Sequence, residues 1–190
     1  MTKNIMIVGV GGQGTLLASR ILGNACISEG YDVKVSEVHG MSQRGGSVIT
    51  YVKYGKEVYS PIIDRGEADI ILAFERLEAI RALPFLKKDG KIILNDRAIS
   101  PMPVITGAMI YPEGIVDDLN KKVDVISLDA LSLSLEAGSP KAVNVVLIGV
   151  LAKSMNIKKE TFINVIKETV PPKFLQLNLK AFELGYNYTK

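Results

Sequence analysis

The sequence predicts an α/β fold in which helices cover both faces of an open, mostly parallel sheet. Segments of strand length alternate with segments of helix length from the N-terminus onward. A glycine-rich turn joins the first predicted strand to the first predicted helix, as in Rossmann-like folds. The 190 residues suit one domain, and the sequence contains no evident linker or repeat. We therefore expect a single Rossmann-like domain over residues 1–190.

The predicted strands are short segments rich in apolar, β-branched or aromatic residues. They cover residues 5–8, 31–37, 47–54, 68–74, 91–95, 104–111 and 123–128. After the third of these, Gly55 and Lys56 should turn the chain back through residues 57–59. We therefore expect a β-hairpin inserted into the otherwise parallel pattern.

The predicted helices lie between these strands and after the last of them. Gly30 should end the first helix, and Pro84 should kink or shorten the second. Ser139 and Pro140 begin a helix that is apolar nearly all round apart from Asn144, so it should be buried in the core or beneath a partner. The helical segments are residues 16–25, 75–86, 142–152, 159–168 and 174–184.

The composition limits the function classes. Hydrophobic residues make up 47% and charged residues 23% of the chain, which is typical of a globular protein. The net charge of +3 arises from interspersed charges without a basic run, so we expect neither nucleic-acid nor membrane binding. The single cysteine, Cys26, should be a core residue and cannot by itself form a disulfide, a structural zinc site or an iron–sulfur cluster. The N-terminus has no signal-peptide pattern, and we expect a cytoplasmic protein without a bound metal.

The glycine-rich turn, Gly-Val-Gly-Gly-Gln-Gly at residues 9–14, is the first candidate site. Gly9 permits a tight turn, Gly11 allows the backbone to approach a diphosphate, and Gly14 allows the helix to pack against the strand. Backbone N–H groups around Gly11, Gly12 and Gln13 then point at an anion. The alternative is a tight strand-to-helix turn that binds nothing.

A second candidate site is the polar segment over residues 39–46. Arg44 precedes Gly45 and Gly46, so its guanidinium lies beside backbone that can approach a ligand closely. Ser42 and Gln43 add neutral donors. In an open α/β sheet this loop should leave the same edge as the glycine-rich turn. The alternative is a turn into the next strand, with Arg44 as a surface charge.

An acidic residue near the end of the second predicted strand suggests a nucleotide site of another kind. Glu37 lies about where dinucleotide-binding folds place the carboxylate that binds a ribose. However, the chain is too short for a second domain that would hold a substrate against a nicotinamide. His39, the single histidine, follows the same strand. We therefore expect Glu37 and His39 to contact the residues that bind the ligand, and not the ligand itself.

The two glycine-containing segments together carry a family resemblance. The turn at residues 9–14, followed by the run from Glu37 to Val48 that contains His-Gly-Met-Ser-Gln-Arg-Gly-Gly, resembles the gamma domain of the 2-oxoacid:ferredoxin oxidoreductases. The resemblance extends over essentially the whole chain. The glycine turn alone is also similar to that of adenylating enzymes, whereas the second string is more specific. It favours the indolepyruvate branch, because gamma subunits acting on pyruvate or 2-oxoglutarate more often carry a Tyr-Gly-Pro-Glu type string.

The resemblance implies coenzyme A-dependent oxidative decarboxylation of an aromatic 2-oxoacid, with electrons passed to ferredoxin. Thiamine diphosphate, magnesium and iron–sulfur clusters are implied on a large alpha subunit. The present chain has neither the Gly-Asp-Gly segment for thiamine diphosphate nor the cysteines for a cluster. We therefore expect no catalytic residue and no bound cofactor on this chain alone. It should contribute a wall of the site or a coenzyme A contact.

The resemblance also implies roles for the site residues. The glycine turn would hold the coenzyme A diphosphate, and Arg44 would meet a phosphate or the substrate carboxylate. Asn144 is expected to be a buried hydrogen-bonding residue. The apolar helices over residues 142–152 and 174–184 suggest a homodimer in isolation, besides binding to the large subunit. A pyruvate-type gamma subunit, an adenylating enzyme and a free-standing nucleotide-binding regulatory module remain the alternatives.

Overall fold

The computed structural model describes residues 2–40 and 45–189. Six strands form one sheet, and the helices lie on its two faces. The strands are β1 (Lys3–Val10), β2 (Asp32–His39), β3 (Ser47–Gly55), β4 (Ala68–Ala73), β5 (Leu86–Asn95) and β6 (Asp124–Leu128). The α-helices are α1 (Thr15–Ser28), α2 (Arg76–Ala82), α3 (Met102–Ile105), α4 (Ile115–Asn120), α5 (Ala130–Ala137), α6 (Val143–Lys153), α7 (Lys159–Thr169) and α8 (Leu175–Tyr186).

The sheet has the strand order β2-β3-β1-β4-β5-β6. The pairs β1–β4, β4–β5 and β5–β6 are parallel, while β3 is antiparallel to both β1 and β2. The expected α/β fold with a mostly parallel sheet is therefore confirmed. From β1 the chain passes first to β2 and β3 on one side and then to β4, β5 and β6 on the other. The order of the strands thus reverses between β1 and β4, which is where open α/β sheets bind their ligands.

Alternating side chains of the central strands build two cores. Ile5 and Ile7 of β1 face a layer formed by α1, α5, α6, α7 and α8. Met6 and Val8 face the opposite layer, formed by α2 and α4. Helices therefore cover both faces, as expected from the alternation of strand and helix segments.

Helix α6 is buried from Val143 to Ala152, as its apolar composition predicts. It packs against α8 so closely that two glycines are required at the contact. A Cβ atom on Gly149 would lie 2.3 Å from the carbonyl oxygen of Phe182, and one on Gly185 would lie 1.9 Å from that of Val146. Because its own domain covers α6, this helix offers no surface for the self-association that its composition suggested.

The hairpin expected over residues 47–59 is wrong. Residues 57–59 form no strand; instead β3 pairs with β2, which precedes it in the chain. Val58 turns inward and its N–H donates to the Asp32 carboxylate at 2.8 Å. The inserted antiparallel hairpin thus exists, but its strands are β2 and β3.

The strand expected over residues 104–111 is also wrong. Pro103 lies in the first turn of the short helix α3. An N–H at that position would have no partner within the helix, so a proline is tolerated there. The chain after α3 is irregular. Ile105 and Ile110 are 65% and 90% exposed, so their apolar character does not indicate a buried strand. Helices α4 and α5 were not expected from the sequence.

Candidate functional site

The glycine-rich turn follows β1 at the carboxyl edge of the parallel strands. Gly12 and Gly14 have φ values of 99° and 82°, which L-residues with side chains rarely adopt. A side chain at Gly9 is excluded as well, because its Cβ would lie 2.8 Å from Gln13 Oε1 and 3.0 Å from Phe74 Cβ. Gly9, Gly12 and Gly14 are therefore required by the shape of the turn.

The turn contacts the described end of the second candidate segment. The N–H of Gly11 donates to the carbonyl of Gly46 at 2.8 Å, and the N–H of Gly45 donates to the carbonyl of Gly11 at 3.4 Å. Ser42, Gln43 and Arg44 lie outside the described residues. The two segments that carry the family resemblance thus meet where the structure describes both.

Internal hydrogen bonds decide which N–H groups of the turn can bind an anion. The N–H of Gly11 donates to the carbonyl of Gly46, and the N–H of Gln13 donates to the carbonyl of Val10 at 3.2 Å. Among the described residues, the N–H groups of Gly12, Gly14 and the first turn of α1 have no partner, and this turn has neither a capping side chain nor an acidic residue. The anion-binding potential therefore lies at Gly12, Gly14 and the start of α1 rather than at Gly11 and Gln13.

Amide side chains fix the turn to the neighbouring strands. Gln13 Oε1 accepts the N–H of Val10 at 2.7 Å, and Gln13 Nε2 donates to the carbonyl of Phe74 at 3.0 Å. The same carbonyl accepts from Asn95 Nδ2 at 3.1 Å, while Asn95 Oδ1 accepts the N–H of Ala130 at 3.2 Å. These bonds join the turn to the ends of β4 and β5 and the start of α5, at the point where the strand order reverses.

Asn144 supports the turn from the opposite side. It is 4% exposed, and its Nδ2 donates to the carbonyl of Gly14 at 3.2 Å. A Cβ on Gly14 would lie 2.5 Å from this nitrogen, so the glycine makes room for the amide. Asn144 therefore holds the start of α1 against α6, and its hydrogen-bonding capacity is used within the protein.

A cleft of about 480 Å³ opens in front of the turn. Residues 11–14 form one wall, and the remaining lining comes from the segment after β5 and from the start of α6. Arg97 and Lys141 line it, both are exposed, and neither forms an ion pair within the described residues. Within the described part of the chain, two cations and helix N–H groups without a partner therefore face a space that no carboxylate lines, which favours a multiply charged anion.

The backbone of the Arg97 segment is held by a buried carboxylate. Glu75 is 1% exposed and accepts from the N–H groups of Glu78 at 2.9 Å and Ile99 at 3.0 Å and from the hydroxyl of Tyr111. Burial, and then the hydrogen bond to Glu75, raise the pKa of Tyr111, so its hydroxyl stays protonated as the donor. The carbonyl of Arg97 also accepts the N–H of Arg76 at 2.9 Å. This wall of the cleft is thus fixed before a ligand binds.

Glu37 and His39 do not line the cleft. Glu37 lies opposite Thr50 on β3 and accepts its hydroxyl at 3.3 Å. Because β3 separates β2 from β1, Glu37 is two strands from β1, roughly 10 Å away across the sheet. His39 is exposed at the end of β2, with Nδ1 3.2 Å from the carbonyl of Gly40. Neither residue is positioned to bind a ribose at the glycine turn.

Two residues of the cleft, Arg97 and Lys141, are not predicted as site residues from the sequence. Arg97 follows β5 at the edge where the glycine turn follows β1, and that position is a usable signal in a parallel sheet. Lys141 lies in a short 3₁₀ helix before α6, and only the tertiary structure brings it to the turn.

The described residues hold no cluster of three or more His, Cys, Asp or Glu side chains that fits a metal ion. Cys26 is fully buried in α1, and burial raises the pKa of its thiol to about 12. No helix in the described part of the chain is long and apolar enough to span a bilayer.

Comparison with known proteins gives a consistent picture. The model of the family described as "Pyruvate ferredoxin/flavodoxin oxidoreductase" matches residues 4–188. The chain is 45% identical to the "Indolepyruvate oxidoreductase subunit IorB" of Thermococcus kodakarensis, with 98% of this chain and 96% of that protein covered. It is 44% identical, at the same coverage, to the subunit of that name from Pyrococcus horikoshii. Its fold is similar to the crystal structure of the pyruvate oxidoreductase subunit PORC of Thermotoga maritima, with a TM-score of 0.75, 19% identity and coverage of 100% and 97%.

Proposed function

Because the chain belongs to the pyruvate ferredoxin/flavodoxin oxidoreductase family, we propose that it is the small subunit of an indolepyruvate ferredoxin oxidoreductase. The observation that carries the proposal is the 45% identity, over 98% of the chain, to a relative named as an indolepyruvate oxidoreductase subunit. The complex would oxidatively decarboxylate an aryl 2-oxoacid with coenzyme A. The products would be an acyl-coenzyme A, carbon dioxide and two electrons for ferredoxin.

The contribution of this chain would be to bind an anionic part of coenzyme A. Its diphosphate carries two adjacent negative groups, and the cleft offers Arg97, Lys141 and the free N–H groups of Gly12, Gly14 and the start of α1. Because the amides of Gln13 and Asn144 already hold the turn in shape, little reorganisation is needed on binding. The binding free energy can then be used to orient coenzyme A toward the partner subunit.

The oxidation would take place on a large alpha subunit. An iron–sulfur cluster requires several thiolates, and this chain has one cysteine, whose thiol is buried and protonated. Its residues therefore do not fit a cluster, and the clusters, magnesium and thiamine diphosphate would be held by the partner. Thiamine diphosphate would supply the carbon–carbon bond cleavage there, and ferredoxin would collect the electrons from the complex.

The segment outside the described residues has a proposed role as well. Arg44 would pair with a phosphate or with the substrate carboxylate, and Ser42 and Gln43 would orient it. Support comes from the resemblance and from the contact of Gly45 and Gly46 with the glycine turn. Replacement Arg44→Ala should leave the unfolding midpoint unchanged. It should lower kcat/KM of the complex by an amount that corresponds to a loss of about 1.5–3 kcal/mol of transition-state stabilisation. Arg44→Lys should restore only part of the lost kcat/KM. Full activity of Arg44→Ala at limiting 2-oxoacid and limiting coenzyme A would remove this role.

The experiment that tests the function is anaerobic reconstitution. The chain is tagged, purified with its partner from the native source, and assayed for reduction of a viologen dye by indolepyruvate and coenzyme A. We expect a large co-purifying subunit, and activity that is lost without the small chain and returns when it is added. A complex that oxidises pyruvate in preference to indolepyruvate would assign the chain to the pyruvate branch. A chain that binds no large subunit would contradict the proposal.

A further inference from the structure

We propose that the large subunit docks on an apolar loop beside the anion cleft. The inference rests on the proposed function and adds to it the position of the partner. The apolar loop consists of residues 98–112, between β5 and α4, and includes the short helix α3. It follows directly on Arg97, which lines the cleft.

The composition of the apolar loop is that of a protein–protein interface. Residues 98–112 include no Asp, Glu, Lys, Arg or His, in a chain of which 23% is charged. Four large apolar side chains in it are between 64% and 90% exposed, namely Met102, Ile105, Met109 and Ile110. Monomeric soluble proteins rarely expose large apolar patches, whereas the centre of an interface is depleted of charge and enriched in methionine. The loop therefore has the properties of a surface that a partner covers.

The apolar loop is held in shape by the domain itself. Both of its ends are fixed by one buried carboxylate, because Glu75 accepts the N–H of Ile99 at 3.0 Å and the hydroxyl of Tyr111. Between these ends, the N–H of Met109 donates to the carbonyl of Pro103 at 3.0 Å. Since these bonds already order the loop, docking of a partner costs little conformational entropy.

The position of the apolar loop identifies the large subunit as its partner. Ile99, at the start of the loop, lines the cleft together with Arg97 and the glycine turn. A stable interface takes about 20–30 residues from each side, so a partner that covers the loop has to extend over the neighbouring rim of the cleft as well. Under the proposed function, coenzyme A in the cleft must reach groups on the large subunit, which therefore has to meet the chain at this edge of the sheet.

A second copy of the chain fits this position less well than a large subunit. It would cover the cleft without bringing the thiolates that a cluster needs, because each copy has only the buried Cys26. One longer relative also favours a larger partner. The match to the "Ketoisovalerate oxidoreductase subunit VorA" of Methanothermobacter marburgensis, at 28% identity, covers 98% of this chain and 36% of that protein. The matching region is there joined to a larger polypeptide, as expected of a domain that works beside one.

The test measures binding of the native large subunit, obtained by the anaerobic co-purification, to the full-length chain. Ile110→Asp and Ile105→Asp, made separately, each place a charge in the apolar loop and should weaken binding at least about tenfold. Tyr59→Asp is the matched control and should bind like the wild type, because Tyr59 is 85% exposed and lies near the start of β1, at the opposite edge of the sheet. The unfolding midpoint and diphosphate binding should not change in any of the three variants, since none of these side chains lines the cleft. In the wild type, the large subunit should slow hydrogen exchange of the backbone amides of residues 102–110, a measurement that needs no variant.

Wild-type affinity of both loop variants, or unchanged exchange in the loop, would overturn the docking surface and leave the proposed function intact. A chain that dimerises on its own, and whose dimer is dissociated by Ile110→Asp, would assign the loop to a second copy and overturn the inference as well. If the wild-type chain binds no large subunit, the inference fails together with the proposed function.

Discussion

The contact between α6 and α8 predicts that the same substitution has opposite effects in two helices. Gly185→Ala would place a Cβ 1.9 Å from the carbonyl oxygen of Val146, where real contacts of this kind are at least about 3.0 Å. Gly23→Ala in α1 would place it 3.6 Å from the nearest atom, a methyl group of Val35, which is an ordinary contact. Gly23 lies in the middle of α1 and Gly185 in the last turn of α8, so each replacement gains intrinsic helix propensity, and the gain at Gly185 is at most equal to that at Gly23.

The magnitudes follow from these distances. Alanine in place of a helical glycine stabilises by about 0.5–1 kcal/mol when the site has room, so Gly23→Ala should raise the free energy of unfolding by that amount. At Gly185 the helices would have to move apart by about 1 Å, and a gap of that size removes a quarter to a half of the dispersion attraction across the contact. With about 3 kcal/mol or more for the clash and up to about 1 kcal/mol of propensity regained, the expected net loss is roughly 2 kcal/mol or more.

Urea unfolding followed by far-ultraviolet circular dichroism measures both variants against the wild type. The midpoint should move up for Gly23→Ala and down for Gly185→Ala, with similar slopes for all three proteins. Since Asn144 lies on α6, Gly185→Ala should also weaken diphosphate binding at the glycine turn. Equal or higher stability of Gly185→Ala would refute the close packing of the two helices.

The cleft, the turn and the buried thiol each give a further prediction. Lys141→Ala and Arg97→Ala should each raise the KM of the complex for coenzyme A about tenfold or more, because each removes one charge-assisted contact. The unfolding midpoint should not change. An unchanged KM would exclude that cation from the site. Asn144→Leu should lower the free energy of unfolding by about 1–3 kcal/mol and weaken diphosphate binding, as judged by urea titration and calorimetry. The substitution removes the bond from Asn144 Nδ2 to the carbonyl of Gly14 and the Oδ1 acceptor for the N–H of Val145. Cys26, whose pKa rises from 9.0 to about 12 on burial, should resist disulfide reagents at pH 8 until the chain unfolds. Above pH 9 the thiol of the unfolded chain loses its proton while that of the folded chain keeps it. The free energy of unfolding should therefore fall as the pH rises from about 9 toward 12.

The sequence predicts those parts of the fold that local pattern decides. β1 and α1 are read from an apolar run, a glycine turn and a helix-forming segment, and α7 begins at Lys159 as expected. The α-helix after β4 ends at Ala82, before Pro84, because the proline and its neighbours continue as a 3₁₀ helix. In each case the signal and its structural consequence lie within a few residues of each other.

The sequence fails where the outcome depends on a distant partner. Nothing local indicates that β3 pairs with β2 and β1 rather than with residues 57–59. The apolar residues near Ile110 look like a strand, yet within the described residues they join no strand of the sheet, and Ile105, Met109 and Ile110 are exposed. The site follows the same rule, since the glycines of residues 9–14 are visible in the sequence but Lys141 reaches them only through the packing of α6 on α1.

The position of β3 also separates this site from that of a nicotinamide-dependent enzyme. In a dinucleotide-binding fold the strand that carries the ribose-binding carboxylate lies directly beside β1, about 5 Å from it. Here β3 occupies that place, and Glu37 lies one strand further out with its carboxylate bonded to Thr50. On the other side of the turn, the cleft is lined by Arg97 and Lys141. The glycine turn is thus retained without the partner residues for a ribose, and under the proposed function its two neighbouring cations would bind the diphosphate of coenzyme A.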